Sequence, residues 1–239
     1  MSAKENFTTA MTALSSALER NTSLCAPFLN VLGVDGAAIS TLGVPFGSET
    51  MCASDRLAAR LDEVQIDLGE GPCWQAQATR RPVLSPDIRE AGCDAWPVFA
   101  EAIRDDDVGA LHAFPLLIGP LSVGAIDLYF GRAGSLSDDQ VADATDLAAI
   151  AARQVLRRAL SAREPKSRDE ASETDTEYSR RVVDQATGML LAQLDVSATD
   201  ALLILRGHAF AHGRSVRAIA GEIVERRLDL AHWHEYVEN

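Results

Sequence analysis

The stretch Ser161–Glu177, SAREPKSRDEASETDTE, sets the outer limit on how this chain folds. It holds no large apolar side chain, one proline and a dense run of charged and hydroxyl groups. Such a segment buries too little apolar surface to offset the entropy of ordering it, so it reads as a linker. Pro165 is expected to interrupt any helix running out of the preceding segment. The 239 residues therefore divide into a first domain over 1–160, a linker over 161–177 and a second domain over 178–239.

Charge bears on what each domain can bind. The chain carries a net −13, but residues 178–239 hold seven basic and eight acidic side chains, so most of the acidity lies upstream. An acidic field disfavours broad nucleic-acid binding, and a nucleic-acid partner has to be held by a local cluster of arginines. No run of 18 apolar residues is present, and the opening MSAKENFTTAMTALSSALERN has no apolar signal-peptide core, so no membrane span and a cytoplasmic location are expected. The four cysteines, Cys25, Cys52, Cys73 and Cys93, form no CxxC pair. They read as reduced thiols, neither a disulfide framework nor a zinc site.

In the first domain, apolar periodicity predicts a helix from about Phe7 to Leu32. Strands are predicted at GAAISTL, after the turn-forming GVDG, and at ETMCAS. The segment DRLAARLDEV predicts a helix capped by Asp55 or Ser54, RPVLSPD a short strand, and WPVFAEAIRDD a short helix with Pro97 in its first turn. GALHAFPLLI and SVGAIDLYF read as a hairpin about GPL, and the long helix from Ser137 closes the domain. One antiparallel sheet with helices at both chain ends makes an α+β fold. Leu14, Leu18, Leu147 and Ile150 lie on apolar stripes of the end helices and are expected to form part of a homodimer interface.

The second domain reads as three short amphipathic helices. In RRVVDQATGMLLAQL, Val183, Ala186, Leu190 and Leu194 share one face. Gly188 falls roughly 200° from Ala186, so it lies opposite that stripe with Arg181, Gln185 and Ala192. A glycine inside a helix costs about 1 kcal/mol relative to alanine. Here it leaves a short-chained strip that a large partner approaches closely. Ser197 caps a second helix that ends near Gly213, and a third runs over about 215–227. Leu202, Leu205, Ala209, Ile219 and Ile223 are the expected core.

These motifs resemble two known families. GVDGAAIS, SDRLAARLDEVQIDLGEGPC, RRPVLSPDI, WPVFAEAI, AFPLLIG, GAIDLY and LSDDQVADATDLAAIAA are similar to GAF domains of actinobacterial regulators over about residues 10–160. Gln185, Ala186 and Gly188, with TDALLILRGHA and SVRAIAGEIVE, resemble the ANTAR domain, a three-helix RNA-binding module of transcription antiterminators. Thr187 stands where that pattern commonly has a lysine, and Leu202 where it often has an aromatic. The resemblance implies a GAF sensor domain that also dimerises the chain, and an ANTAR domain that binds hairpins in nascent transcripts. Its implied RNA face is the Arg181–Gln185–Gly188 strip, with phosphate contacts from Arg206, Arg214, Ser215 and Arg217.

The motifs call for no cofactor, and the small-molecule ligand of the GAF domain stays unnamed. Cys73, at the start of a short helix that would lower its pKa, and Trp74 beside it are the candidate ligand-binding residues; the other reading of Cys73 is a small buried packing residue. His112 reads as a core or edge residue. His208, His212, His232 and His234 form no metal set, since no acidic third ligand stands at useful spacing. No catalytic constellation is found, so no enzyme is expected. Two alternatives stay open: a protein-interaction or redox-sensing GAF module with degenerate RNA binding, and a GAF-type methionine sulfoxide reductase built on Cys73 and Cys93. If the linker reading holds, limited proteolysis cuts first within Ser161–Glu177 and leaves two folded fragments. First cuts elsewhere contradict the boundary.

Overall fold

A computed structural model describes residues 3–161 and 180–229. The chain separates into two compact units, Met1–Tyr178 and Ser179–Asn239. Pro165 and the rest of the linker beyond Ser161 lie outside the described residues.

The first unit is a five-stranded antiparallel sheet between two helical layers. Its strands are β1 (Gly36–Thr41), β2 (Glu49–Ala53), β3 (Val83–Ser85), β4 (Ala110–Ile118) and β5 (Leu121–Phe130), in the order β2-β1-β5-β4-β3. Alternation along β5 sorts the two faces. Ile126 and Leu128 join Ile39, Phe114 and Leu116 against α1 (Ala3–Ser15), α3 (Ala26–Leu32) and α8 (Asp138–Ser161). Tyr129 faces the other way, joining Ala38 and Leu111 against α4 (Arg56–Leu68), α6 (Ile88–Ala95) and α7 (Pro97–Ala102). The caps follow the local chemistry. Asp55, and not Ser54, caps α4 by accepting from Ala58 N. Ser137 and Gln140 exchange side-chain and backbone bonds at 3.2 and 2.9 Å, a reciprocal capping box that starts α8.

Two expectations from sequence are corrected here. The helix expected over Phe7–Leu32 is three pieces, α1, the single turn α2 (Ala17–Arg20) and α3. Thr8, Thr9, Thr12, Ser15 and Ser16 each bond back to the carbonyl four residues earlier, which competes with the helical ladder. Asn21, left-handed at φ 51°, then stops the run. The helix α6, inside IREAGCDA, was absent from the sequence reading; its short segment gives too few periodic positions to register.

The α4 side is organised by one buried amide. Gln65 Nε2 donates to Asp127 Oδ2 on β5 at 2.6 Å, and Gln65 Oε1 accepts from Cys73 N at 2.9 Å. Its backbone carbonyl accepts from Trp74 Nε1 at 2.7 Å. The helix α5 (Pro72–Thr79) is thereby fixed to α4 and the sheet. Gly71, at φ 138°, is required here: a Cβ on it would sit 2.5 Å from the Gln65 side chain.

The second unit is a three-helix bundle of α9 (Arg181–Leu194), α10 (Ala198–Ala211) and α11 (Val216–Val224). Its core is Val183, Ala186, Leu190, Ala201, Leu205, Ala209, Val216, Ile219, Ala220 and Ile223. Leu202 is half-buried and packs against this core, beside the fully buried Ala201. Ser197 and Ser215 cap α10 and α11. At the end of α10, Gly213 is left-handed at φ 62°, with Gly213 N on Phe210 O at 3.0 Å and Arg214 N on Ala209 O at 2.9 Å, a Schellman closure. The third helix stops at Val224, short of the expected 227, because Arg226 turns left-handed at φ 57°.

Asp127 generates a pH prediction. Burial pushes its carboxyl well above the usual range, the nearby Asp62 adds to this, and the Gln65 bond opposes it. The folded state thus holds the proton more tightly than the unfolded chain. The stability from this group is fully present below the unfolded pKa of about 4 and is lost as pH rises through the folded value. Asp127→Asn keeps the acceptor for Gln65 and removes that loss. Thermal melts should show parent and variant alike near pH 4 and the variant more stable at pH 7. An equal deficit of the variant at both pH values contradicts the account.

Candidate nucleic-acid interface and sensor core

In the second unit the face of α9 away from the core is open. Arg181, Gln185 and Gly188 are exposed, opposite Val183, Ala186 and Leu190. A Cβ built on Gly188 meets nothing within 4 Å, so no packing among the described residues demands the glycine. Thr187, which stands in the expected lysine position, bonds back to Val183 O at 2.8 Å.

The other candidates gather where α10 hands over to α11. Arg214 forms a bidentate pair with Glu222, both N–H···O distances being 2.9 Å. Each partner favours the other's charged form: the bond raises the Arg214 pKa and lowers that of Glu222. A phosphate at Arg214 therefore competes with a carboxylate already in place. Ser215 Oγ accepts from Ala218 N at 3.2 Å, which occupies the hydroxyl as the cap. His208 and His212 stack at 4.1 Å beside this pair. Burial, then His212 and Arg214, lower the His208 pKa against the pull of Glu222. Arg206 and Arg217 are half-buried on the flanks of α10 and α11. His232 and His234 lie outside the described residues.

One surface was missed in the sequence. On α10, Leu203 and Phe210 are 56% and 55% exposed, with Gly207 between them and open space above it. They lie roughly 180–200° around the helix from Ala201. The signal was available: ALLILRGHAFA is apolar on two faces, and only one of them serves a small bundle's core.

The sensor core makes Cys73 a buried packing residue. Its thiol is fully buried, and burial, with Asp127 and Asp62 nearby, pushes its pKa well up. The helix start that was expected to activate it spends the Cys73 N–H on Gln65. Trp74 is half-buried and packs on Leu42, Ile66, Cys73 and Ala125. A buried polar cluster faces α4 from the sheet, with Thr50 Oγ1 donating to Asp62 Oδ2 at 2.5 Å and Ser40 and Asp127 alongside. His112 is a core residue, its ring edge-on to Phe130, with its pKa lowered by burial. The Cys93 side chain lies outside the described residues, and among those described no set of three His, Cys, Asp or Glu could hold a metal. Among them, too, no single helix is long and apolar enough to cross a membrane.

The end helices also differ from expectation. Leu14 and Leu147 are fully buried within the unit, and Leu18 and Ile150 are half-buried. The first two are spent on the core of their own chain and are not available to a second copy.

Comparison with known proteins matches this architecture. The GAF domain profile matches residues 15–154 and the ANTAR domain profile residues 176–224. No curated protein matches the chain. Among solved structures, the GAF domain of a phosphoenolpyruvate-protein phosphotransferase from Acinetobacter is similar at 11% identity, covering 67% of this chain and 97% of that one, with a TM-score of 0.48. Its counterpart from Coxiella burnetii is similar at 15% identity over 68% and 99%, with a TM-score of 0.48. A free methionine-R-sulfoxide reductase from Neisseria meningitidis is similar at 15% identity over 64% and 91%, with a TM-score of 0.44. With a GAF domain over residues 15–154 and an ANTAR domain over 176–224, the chain belongs to the GAF family, in the regulatory architecture that joins a GAF sensor to an ANTAR RNA-binding antitermination domain.

Proposed function

We propose that the ANTAR domain of this chain binds hairpins in nascent transcripts and favours an antiterminator structure, under the control of the GAF domain, in a cytoplasmic homodimer. The observation that carries the reading is the open face of α9. Gly188 has no packing role among the described residues, yet it occupies a helix interior at a propensity cost of about 1 kcal/mol. A bare backbone flanked by the guanidinium of Arg181 and the amide of Gln185 suits close approach of a phosphate or sugar. Phe210 adds an exposed ring on which an unpaired loop base stacks, and Arg206 lies one helical turn before it. The apolar core already uses Leu14 and Leu147, so the homodimer interface draws on other residues of the end helices, of which Leu160 is 51% exposed.

A second reading has one observation of its own. Leu203 and Phe210 together make an exposed apolar face, on a segment whose net charge is slightly negative. That pattern suits a protein partner if RNA binding has been lost.

The two readings separate on three variants measured against a hairpin RNA at two salt concentrations. Gly188→Leu should keep or raise helicity, since the position is open and leucine is the better helix former, while binding falls. Arg206→Ala should weaken binding to all RNA sequences and reduce the salt slope by about one counterion. Phe210→Ala should cost about 1–3 kcal/mol for one stacked base. Parental RNA binding by all three variants contradicts the RNA face and favours the protein partner.

A further inference from the structure

Two of the thiols meet on the α1–α3 side of the sheet, away from Cys73. Cys52 is on β2 opposite Ile39, and Cys25 immediately precedes α3. Ser23 bridges the two residues, and their thiols are near enough to bias each other's ionisation, Cys25 favouring the Cys52 thiolate. Cys25 is fully buried and Cys52 half-buried, both within the same core. Ser23 Oγ lies 3.5 Å from Cys52 Sγ. That oxygen already accepts from Cys25 N at 3.1 Å and Ala26 N at 3.3 Å, so its own proton is the one directed at the sulfur. A hydroxyl proton directed at the Cys52 sulfur favours its thiolate.

A cleft of about 480 Å³ opens between α1 and the loop into α3, lined by Asn6, Thr9, Arg20, Thr22, Ser23 and Pro27 among others. Ser23 is both a wall of this cleft and the contact of Cys52, so a small polar molecule in the cleft stands one side chain from the sulfur.

We propose that Cys52 and Cys25 are a peroxide-responsive dithiol, with Cys52 the attacking thiolate and Cys25 the resolving thiol. The oxidant is a small hydroperoxide, with hydrogen peroxide the simplest. The Cys52 sulfur attacks one peroxide oxygen: an S–O bond forms and the O–O bond breaks. Sulfur is oxidised by two electrons to the sulfenic acid, and the departing hydroxide takes up the proton that Cys52 had released, giving water. The Cys25 sulfur then attacks the sulfenic sulfur. The S–S bond forms, the S–O bond breaks, and hydroxide leaves with the Cys25 proton as a second water. Two thiols and one hydrogen peroxide give one disulfide and two waters.

The electrostatics agree with this division of labour. The Cys25 thiol above all, with Ser23 and the backbone groups, outweighs burial and lowers the Cys52 pKa to about 6, whereas burial pushes Cys25 well up. In a reducing compartment such a disulfide is transient, as suits a signal and not a structural bridge. The thiol loop also has a route outward: Gln154 Nε2 on α8 donates to Ser15 O at 2.7 Å, and Gln140 Nε2 donates to Leu32 O at 2.9 Å. The helices that flank the thiol loop are thereby tied to the helix leading into the linker. This effect on α8 rests on the sensor reading of the GAF domain, while the thiol chemistry does not.

The test is made on the full chain. Treat the reduced protein with stoichiometric hydrogen peroxide, titrate thiols and map peptides by mass spectrometry without reduction. Of the four cysteines, two should disappear, in a Cys25–Cys52 linked peptide lighter by two hydrogens and restored by dithiothreitol. Cys52→Ser should slow peroxide-dependent thiol loss by about tenfold or more. Cys25→Ser should leave a sulfenic acid on Cys52 that dimedone traps, and Cys73→Ser should behave as the parent. Retention of four thiols, a linkage through Cys73 or Cys93, or equal rates in the Cys25 and Cys52 variants overturns the proposal. The mapping on the parent decides the matter even if a variant fails to fold. Because no RNA is involved, a failure here and a failure of the RNA reading are separate results.

Discussion

The sensor unit depends on one buried side chain, Gln65. An amide has donors and an acceptor on a single planar group, and Gln65 uses both ends. Its nitrogen reaches Asp127 in the middle of β5, its oxygen receives the first free N–H of α5, and its own carbonyl holds the indole of Trp74. A hydrocarbon at this position would leave a buried acid and a buried N–H unpaired, at about 1–3 kcal/mol for each group. The left-handed Gly71 and the closed pocket around Cys73 follow from the same contact. So does the inertness of Cys73: the group that fixes its helix also consumes the N–H that would have activated the thiol.

The ANTAR bundle solves a different problem. It is small, so its stability depends on close approach, and four of its buried residues are alanines: Ala186, Ala201, Ala209 and Ala220. Its helix ends are closed by Ser197, Ser215 and Gly213 within the bundle, leaving the outward faces of α9 and α10 unencumbered. Stability and recognition therefore use opposite sides of the same helices. Arg214 shows the cost of mixing them. Its guanidinium holds Glu222 across α11 and has to give up that pair before it serves a phosphate.

Much of this was legible in the sequence because it is local. Strand alternation, the cap residues Asp55, Ser137 and Ser197, Pro97 at a helix start and the stripe through Val183, Ala186 and Leu190 are all short-range patterns, and each has its counterpart in the fold. The strip of Arg181, Gln185 and Gly188 followed from helical geometry alone. What escaped depends on contacts between distant residues. Leu14 and Leu147 read as surface stripes until the sheet supplied their partner. The run over Phe7–Leu32 read as one helix because apolar spacing does not register hydroxyls bonding back to the ladder. Cys73 stood open between a reactive thiol and a packing residue because nothing in LGEGPC announces Gln65 above it. Cys25 and Cys52 meet only because β2 folds back beside β1, and their separation in sequence carries no hint of it.

The central claim is that a chain of net charge −13 binds RNA through a local face of its ANTAR domain. Its overall field repels the phosphate backbone, so any association must come from that face and be selective for structure. The most direct measurement is sequencing of the RNA that co-purifies with the intact protein from its host, against total cellular RNA. The account predicts strong enrichment of transcript leaders that contain paired hairpins next to terminators. Recovered RNA that merely follows transcript abundance, with no hairpin enriched, would contradict it.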